Sequence, residues 1–129
     1  PSFFFTLTPP YEILSGLVGS EMCIRDSIST VKAIERELSF EGLLFRYKNI
    51  DDFGKPSSSF TVCSFWFAYS LFKIGEEEKS RKYFNELLSY SNHLGLFSED
   101  LDFKSKRLLG NFPQAYSHLA LIETAMNFN

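Results

Sequence analysis

Cysteine and histidine are scarce in this 129-residue chain, and long unbroken apolar runs are missing. Two cysteines are too few for a disulfide framework or a thiolate metal site. Two histidines, with no cysteine or carboxylate at ligand spacing, make no metal constellation, so neither a metal nor any other cofactor is expected. No window approaches the ~18 uncharged apolar residues that span a bilayer. The longest apolar stretch, Phe60 to Phe72, has threonine, serine and tyrosine inside it, so no membrane association is expected. An excess of positive charge is absent too: a net charge of -3 and a pI near 5.4 argue against nucleic acid as a partner.

What is present describes one ordinary globular domain, with 44% hydrophobic and 22% charged residues. Aromatics reach 17%, including fifteen Phe, enough for a large core or a sugar-binding cleft. Cys63, inside the apolar stretch, reads as a small buried thiol.

The first 27 residues read differently. Leu17-Val18-Gly19-Ser20-Glu21-Met22-Cys23-Ile24-Arg25-Asp26-Ser27 looks like a transposase-type sequencing adapter translated in frame. The codons CTC GTG GGC TCG GAG ATG TGT ATA AGA GAC spell the first ten of these residues, and a Ser codon opens next. Residues 1–10 with Phe3-Phe4-Phe5 then read as low-quality sequence. A signal-like segment is the competing reading, but it lacks a basic start, and Pro9-Pro10 and Glu12 interrupt its apolar core. Residues 1–27 are therefore set aside as an artefact, and the domain is expected to begin near Ile28.

From there four helices are predicted. Ser29 or Thr30 caps a helix with Val31, Ile34 and Leu38 on one face, ending near Gly42. Leu43 to Tyr47 is a short extended piece, and residues 49–59 are a loop. Phe60 to Ile74 forms a helix apolar on every side and so buried on every side, with Gly75 as its stop. Glu76-Glu77-Glu78 opens an amphipathic helix with Tyr83, Phe84, Leu87 and Leu88 on its apolar stripe. Residues 92–112 are a long connection with little periodicity, and such connections are often functional. Pro113 suits the first turn of a closing helix. There Ala115, Leu119, Ile122 and Met126 form one face and Leu121 and Ala125 a second, so that it is mostly buried. Amphipathic and apolar helices thus alternate, as in an all-α fold of inner and outer rings. A helical-repeat array is the bland alternative, but no second copy recurs at a fixed period.

Three blocks carry a resemblance: Cys63-Ser64-Phe65-Trp66, Leu94-Gly95-Leu96-Phe97-Ser98-Glu99-Asp100, and Gly110-Asn111-Phe112-Pro113-Gln114-Ala115-Tyr116-Ser117-His118. Together they resemble the C-terminal part of glycoside hydrolase family 15, the glucoamylase and trehalase-like enzymes. The wording of the first and third blocks is closer to the trehalase-like prokaryotic branch. The resemblance covers residues 28–129 and implies about the last third of a six-hairpin α/α barrel. It also implies an inverting, exo-acting hydrolase of α-glucosidic bonds in an α-glucan, a malto-oligosaccharide or trehalose. Inversion needs one carboxylic acid to protonate the leaving oxygen. It also needs one carboxylate, ~6.5–9.5 Å away, to deprotonate water on the opposite face. Glu99 stands where the family has that base, with Asp100 matching a frequent acidic neighbour. Arg46 matches an arginine of the innermost sugar subsite, and Phe60 and Gln114 match pocket-lining positions. Trp66 reads as core and His118 as a structural hydrogen-bonding residue. Ser57-Ser58-Ser59 stand where many relatives carry an acidic residue, which puts subsite details in doubt. The family's general acid lies upstream of everything present. None of Glu35, Glu37 and Glu41 has a matching context, so the chain alone is expected to be inactive. It is also expected to be poorly soluble, since its two apolar helices would lack the neighbours that the rest of the barrel supplies. A non-catalytic, barrel-like regulatory or carbohydrate-binding module is the alternative function. A cytoplasmic location is expected, and nothing sets the oligomeric state.

Overall fold

Every described element touches, or lies one neighbour from, the apolar stretch singled out in the sequence. A computed structural model of the chain describes residues 21–50, 52 and 54–128, with side chains from residue 25 onward. Residues 1–20 of the segment set aside as an artefact lie outside the described residues. Helix α1 (Glu21–Leu38) is followed by β1 (Ser39–Phe40), β2 (Leu43–Leu44) and β3 (Ser58–Phe60). Then come α2 (Thr61–Lys73), α3 (Glu77–Leu88), β4 (Asp100–Asp102), β5 (Leu108–Leu109) and α4 (Ala115–Ala125), with a 3-10 turn at Met126–Phe128. Helices dominate, but the expectation of a purely helical fold needs correction: two small antiparallel sheets are present, β1-β2 and β3-β4-β5.

The apolar helix α2 forms the centre. Val62, Phe65, Phe67, Ala68 and Leu71 are buried, and the Phe65 ring meets Phe84 of α3 and Phe97 edge-on at 5.9 and 5.2 Å. Gly75 ends the helix as predicted, at a φ of 86° that favours glycine. The Gly75 and Glu76 amides close the end by donating to the Phe72 and Leu71 carbonyls at 3.0 and 2.9 Å. Helix α3 is amphipathic as predicted, burying Ser80, Phe84 and Leu87 and tying to α1 through a Lys79–Glu35 ion pair of 2.7 Å. Leu88, expected on its apolar stripe, is exposed.

Several other expectations are corrected. Helix α1 runs unbroken from Glu21 through Ile28, so Ser29 does not cap it; its hydroxyl bonds back to the Asp26 carbonyl at 2.9 Å. The helix ends at Leu38, and Glu41 and Gly42, both at positive φ, form the tight turn that pairs Phe40 with Leu43. Residues 49–59 do not stay a loop throughout, because 58–60 pair with β4, and Phe60 precedes α2 instead of joining it. The connection 92–112 contains β4 and β5. Alternation in Asp100-Leu101-Asp102 puts Leu101 inside and leaves both carboxylates at the edge. Pro113 lies before the closing helix because Gln114 is still extended (φ -101°, ψ 111°). Cys63 is half-buried, not buried.

Two corrections concern apolar surface. Trp66 is 40% exposed and leans edge-on against Tyr116 at 5.5 Å. In α4 the inward residues are Ser117, Ala120 and Thr124, whose small size lets the helix approach α2. Thr124 Oγ1 donates to the Phe65 carbonyl at 3.0 Å. The larger face expected inside is turned outward: Leu119, Ile122 and Met126 are 64, 54 and 70% exposed.

Candidate active site

Two of the motif blocks are bonded to each other, and the bonds place Glu99. The Gln114 amide donates to the Phe97 carbonyl and the Glu99 amide to the Asn111 carbonyl, both at 2.9 Å. Ser117 Oγ donates to the Ser98 carbonyl at 2.9 Å, and the Leu109 amide donates to Ser98 Oγ at 3.2 Å. The Phe97 amide donates to His118 Nε2 at 3.2 Å. Since Nε2 accepts, Nδ1 carries the hydrogen and donates to the Gln114 carbonyl at 2.7 Å. His118 is therefore the structural hydrogen-bonding residue that the sequence suggests. From the other side, the first amide of α2, that of Thr61, donates to the Glu99 carbonyl at 2.9 Å. The backbone at 97–99 is thus held from both flanks.

Its side chain opens onto a pocket of about 290 Å³ lined by Arg46, Tyr47, Ser58, Phe60, Glu99, Asp100 and the loop 54–57. That volume falls just below the ~300–1,000 Å³ typical of small-molecule sites. Three elements converge there. Arg46 follows β2, Phe60 ends β3, and Asp100 begins β4 directly opposite Phe60 in the sheet register. The Arg46 guanidinium carbon stands 5.1 Å from the Phe60 ring centroid, a cation–π contact worth about 0.5–1 kcal/mol at such exposure. It holds the guanidinium fork over the pocket wall, where its donors suit a polyol.

The Glu99 carboxylate is itself held. Asn111 Nδ2 donates to Glu99 Oε2 at 2.8 Å and the Asn111 amide donates to the same oxygen at 3.3 Å. Asp100 accepts the Ser58 hydroxyl at 2.6 Å. Burial raises the Asp100 pKa, with the Glu99 charge adding to it; the Ser58 hydroxyl and the Arg46 charge work the other way. Burial also raises the Cys63 thiol, against the pull of Arg46.

Three of the four residues singled out in the sequence, Arg46, Phe60 and Glu99, therefore meet in one pocket. Gln114 is not among its lining residues; it sits at the N-terminus of α4, with its backbone tied to Phe97 and His118. Asn111 and Ser58 received no role from sequence. The Gly110-Asn111 pair inside the third block offers at most a local turn signal, and the Asn111 contact with Glu99 spans twelve positions of chain. No group of three metal-ligating side chains occurs among the described residues, and no helix there is long and apolar enough to cross a membrane.

Sequence comparison decides the lineage of this site: residues 16–126 match the glycosyl hydrolases family 15. The chain belongs to that family. Among its relatives is the trehalase of Mycobacterium tuberculosis, 40% identical over 102 residues, or 77% of this chain and 15% of the relative. The trehalase of Thermoplasma volcanium is 41% identical over 99 residues, 76% of this chain and 16% of its own length. Trehalase 1 of Sulfolobus acidocaldarius is 30% identical over 95 residues, 74% of this chain and 17% of its own length. The chain thus spans only 15–17% of the length of these three relatives. No solved structure matches it.

Proposed function

We propose that this chain supplies the base-bearing part of the catalytic domain of an inverting, trehalase-like glycoside hydrolase. Its four helices would form the closing portion of an α/α barrel, with the β3-β4-β5 sheet carrying the site at one end. Trehalose is the favoured substrate, since the relatives above are trehalases; an α-glucan or malto-oligosaccharide is the other member of the same α-glucoside class. In this reading Glu99 removes a proton from a water molecule as the water oxygen bonds to the anomeric carbon. The glycosidic C–O bond breaks, and its electron pair goes to the leaving oxygen. A second carboxylic acid, not assigned among the described residues, protonates that oxygen. Arg46 donates to sugar hydroxyls and Phe60 presents an apolar wall to the ring. Gln114 would join them through a neighbouring subsite. Residues 1–27 would remain translated adapter, to be checked by resequencing the source DNA.

The observation that supports the reading best is the meeting of Glu99, Arg46 and Phe60 in one polar pocket from three separate elements. The test is Glu99→Gln in the full-length protein carrying this chain. Turnover of trehalose or maltose should fall about 10²–10⁴-fold, the share that a positioned acid or base contributes, while the fold is kept. Turnover at the parental rate would sink Glu99 as the base, and a parental protein that turns over neither sugar would sink the activity.

A further inference from the structure

Glu99 has a partner that the reaction scheme leaves without a function. We infer that Asn111 is a positioning residue, which grips one oxygen of the Glu99 carboxylate so that the other is aimed at the attacking water. This rests on the reading of Glu99 as the base. Asn111 reaches Glu99 three times. Its carbonyl accepts the Glu99 amide at 2.9 Å. Its own amide and its side-chain Nδ2 both donate to Glu99 Oε2, at 3.3 and 2.8 Å. Backbone and side chain are therefore clamped by one residue, and rotation of the carboxylate would break two bonds at once. Both donors end on Oε2; Oε1 receives no hydrogen bond from the described residues. A base needs such an asymmetry, because one oxygen must be fixed for the other to point.

The residue before it makes the grip possible. Gly110 has a φ of 73°, and a Cβ there would stand 3.2 Å from both Glu99 Cβ and Glu99 Oε2. Glycine thus meets a conformational and a steric demand at the same place, and it lets the Asn111 amide come up to the carboxylate. Asn111 is exposed, so its side chain adds little to the core and its removal should leave the fold intact.

The experiment compares Asn111→Ala and the isosteric Asn111→Asp with Glu99→Gln, all in the full-length protein with trehalose as substrate. Both Asn111 variants should lose kcat by up to about a hundredfold, the effect of a displaced catalytic group. KM should stay within about twofold and the melting temperature should not change. In the Glu99→Gln background Asn111→Ala should cost nothing further, because two residues acting as a unit are not additive. Full kcat in either variant, or an equal loss in both backgrounds, would overturn the inference while leaving Glu99 as the base. A drop in melting temperature with kcat and KM falling together would also overturn it, assigning Asn111 a structural role. Parental activity in Glu99→Gln would instead remove the reading beneath it.

Discussion

Helices α3 and α4 pack on α2, and their outer faces are made differently. On α3, Lys79, Arg81, Lys82, Asn85 and Glu86 face water, while Phe84 and Leu87 are buried and Tyr83 is half-buried against the core. On α4 the inward residues are the small Ser117, Ala120 and Thr124, and the outward ones are Tyr116, Leu119 and Ile122, with Met126 of the next turn. A helix with a charged back is complete at a surface. One with an apolar back has the composition of an inner helix, which needs a neighbour on both sides. The α3 side of the molecule is thus made as a rim, and the α4 side as an interior. Placement of α4 within a barrel, as proposed above, would cover that second face.

The largest test of this contrast addresses what the two sides share. Phe65 is fully buried between them, with its ring on Phe84 and Phe97 and its carbonyl on Thr124. Phe65→Ala should destabilise by about 3–5 kcal/mol, measured as a shift in the urea midpoint of the 129-residue chain. A cost below ~1 kcal/mol would mean that α3 and α4 do not share a core. The second test separates the faces. Leu119→Lys with Ile122→Lys should reduce self-association of the chain in sedimentation velocity, since exposed apolar patches drive it. Each change should alter stability by no more than ~0.5 kcal/mol. Arg81→Leu with Lys82→Leu on α3 should do the reverse and promote association; equal behaviour on the two helices would erase the distinction. The smallest effect is expected at the rim itself, where Lys79→Ala breaks the exposed pair with Glu35. Its cost should be 0–1 kcal/mol and should shrink as salt is added.

How much of this was legible beforehand follows from the kind of signal each element carries. Helix α2 was legible because its twelve residues before Lys73 carry no charge and leave few alternatives to burial, and α3 because its charges recur off one stripe. Of the strands only β2 was anticipated, inside the extended piece Leu43 to Tyr47. Two- and three-residue strands such as β4 and β5 are too short for an alternation to register against noise. The face of α4 was misread for a related reason. Hydrophobicity ranks Leu119 and Ile122 above Ala120 and Ser117, yet close helix packing selects for small size. Only the distance between two helices decides which demand wins. In the site, Glu99, Arg46 and Phe60 were singled out by resemblance to positions of the family, whereas Asn111 and Ser58 come to notice only through contacts across strands and loops. Ser58 meets Asp100 over 42 positions of chain.

Alone, the order of residues settled the central apolar helix, the charged rim helix, the stop at Gly75 and the family. The first three depend on composition or local spacing and the family on the resemblance of three blocks, all of which the chain states without folding. Tertiary structure decided which face of α4 turns inward, which short segments pair, and which oxygen of Glu99 is held. Those depend on distances between segments far apart in the chain, and such distances exist only once the backbone has closed its hydrogen bonds.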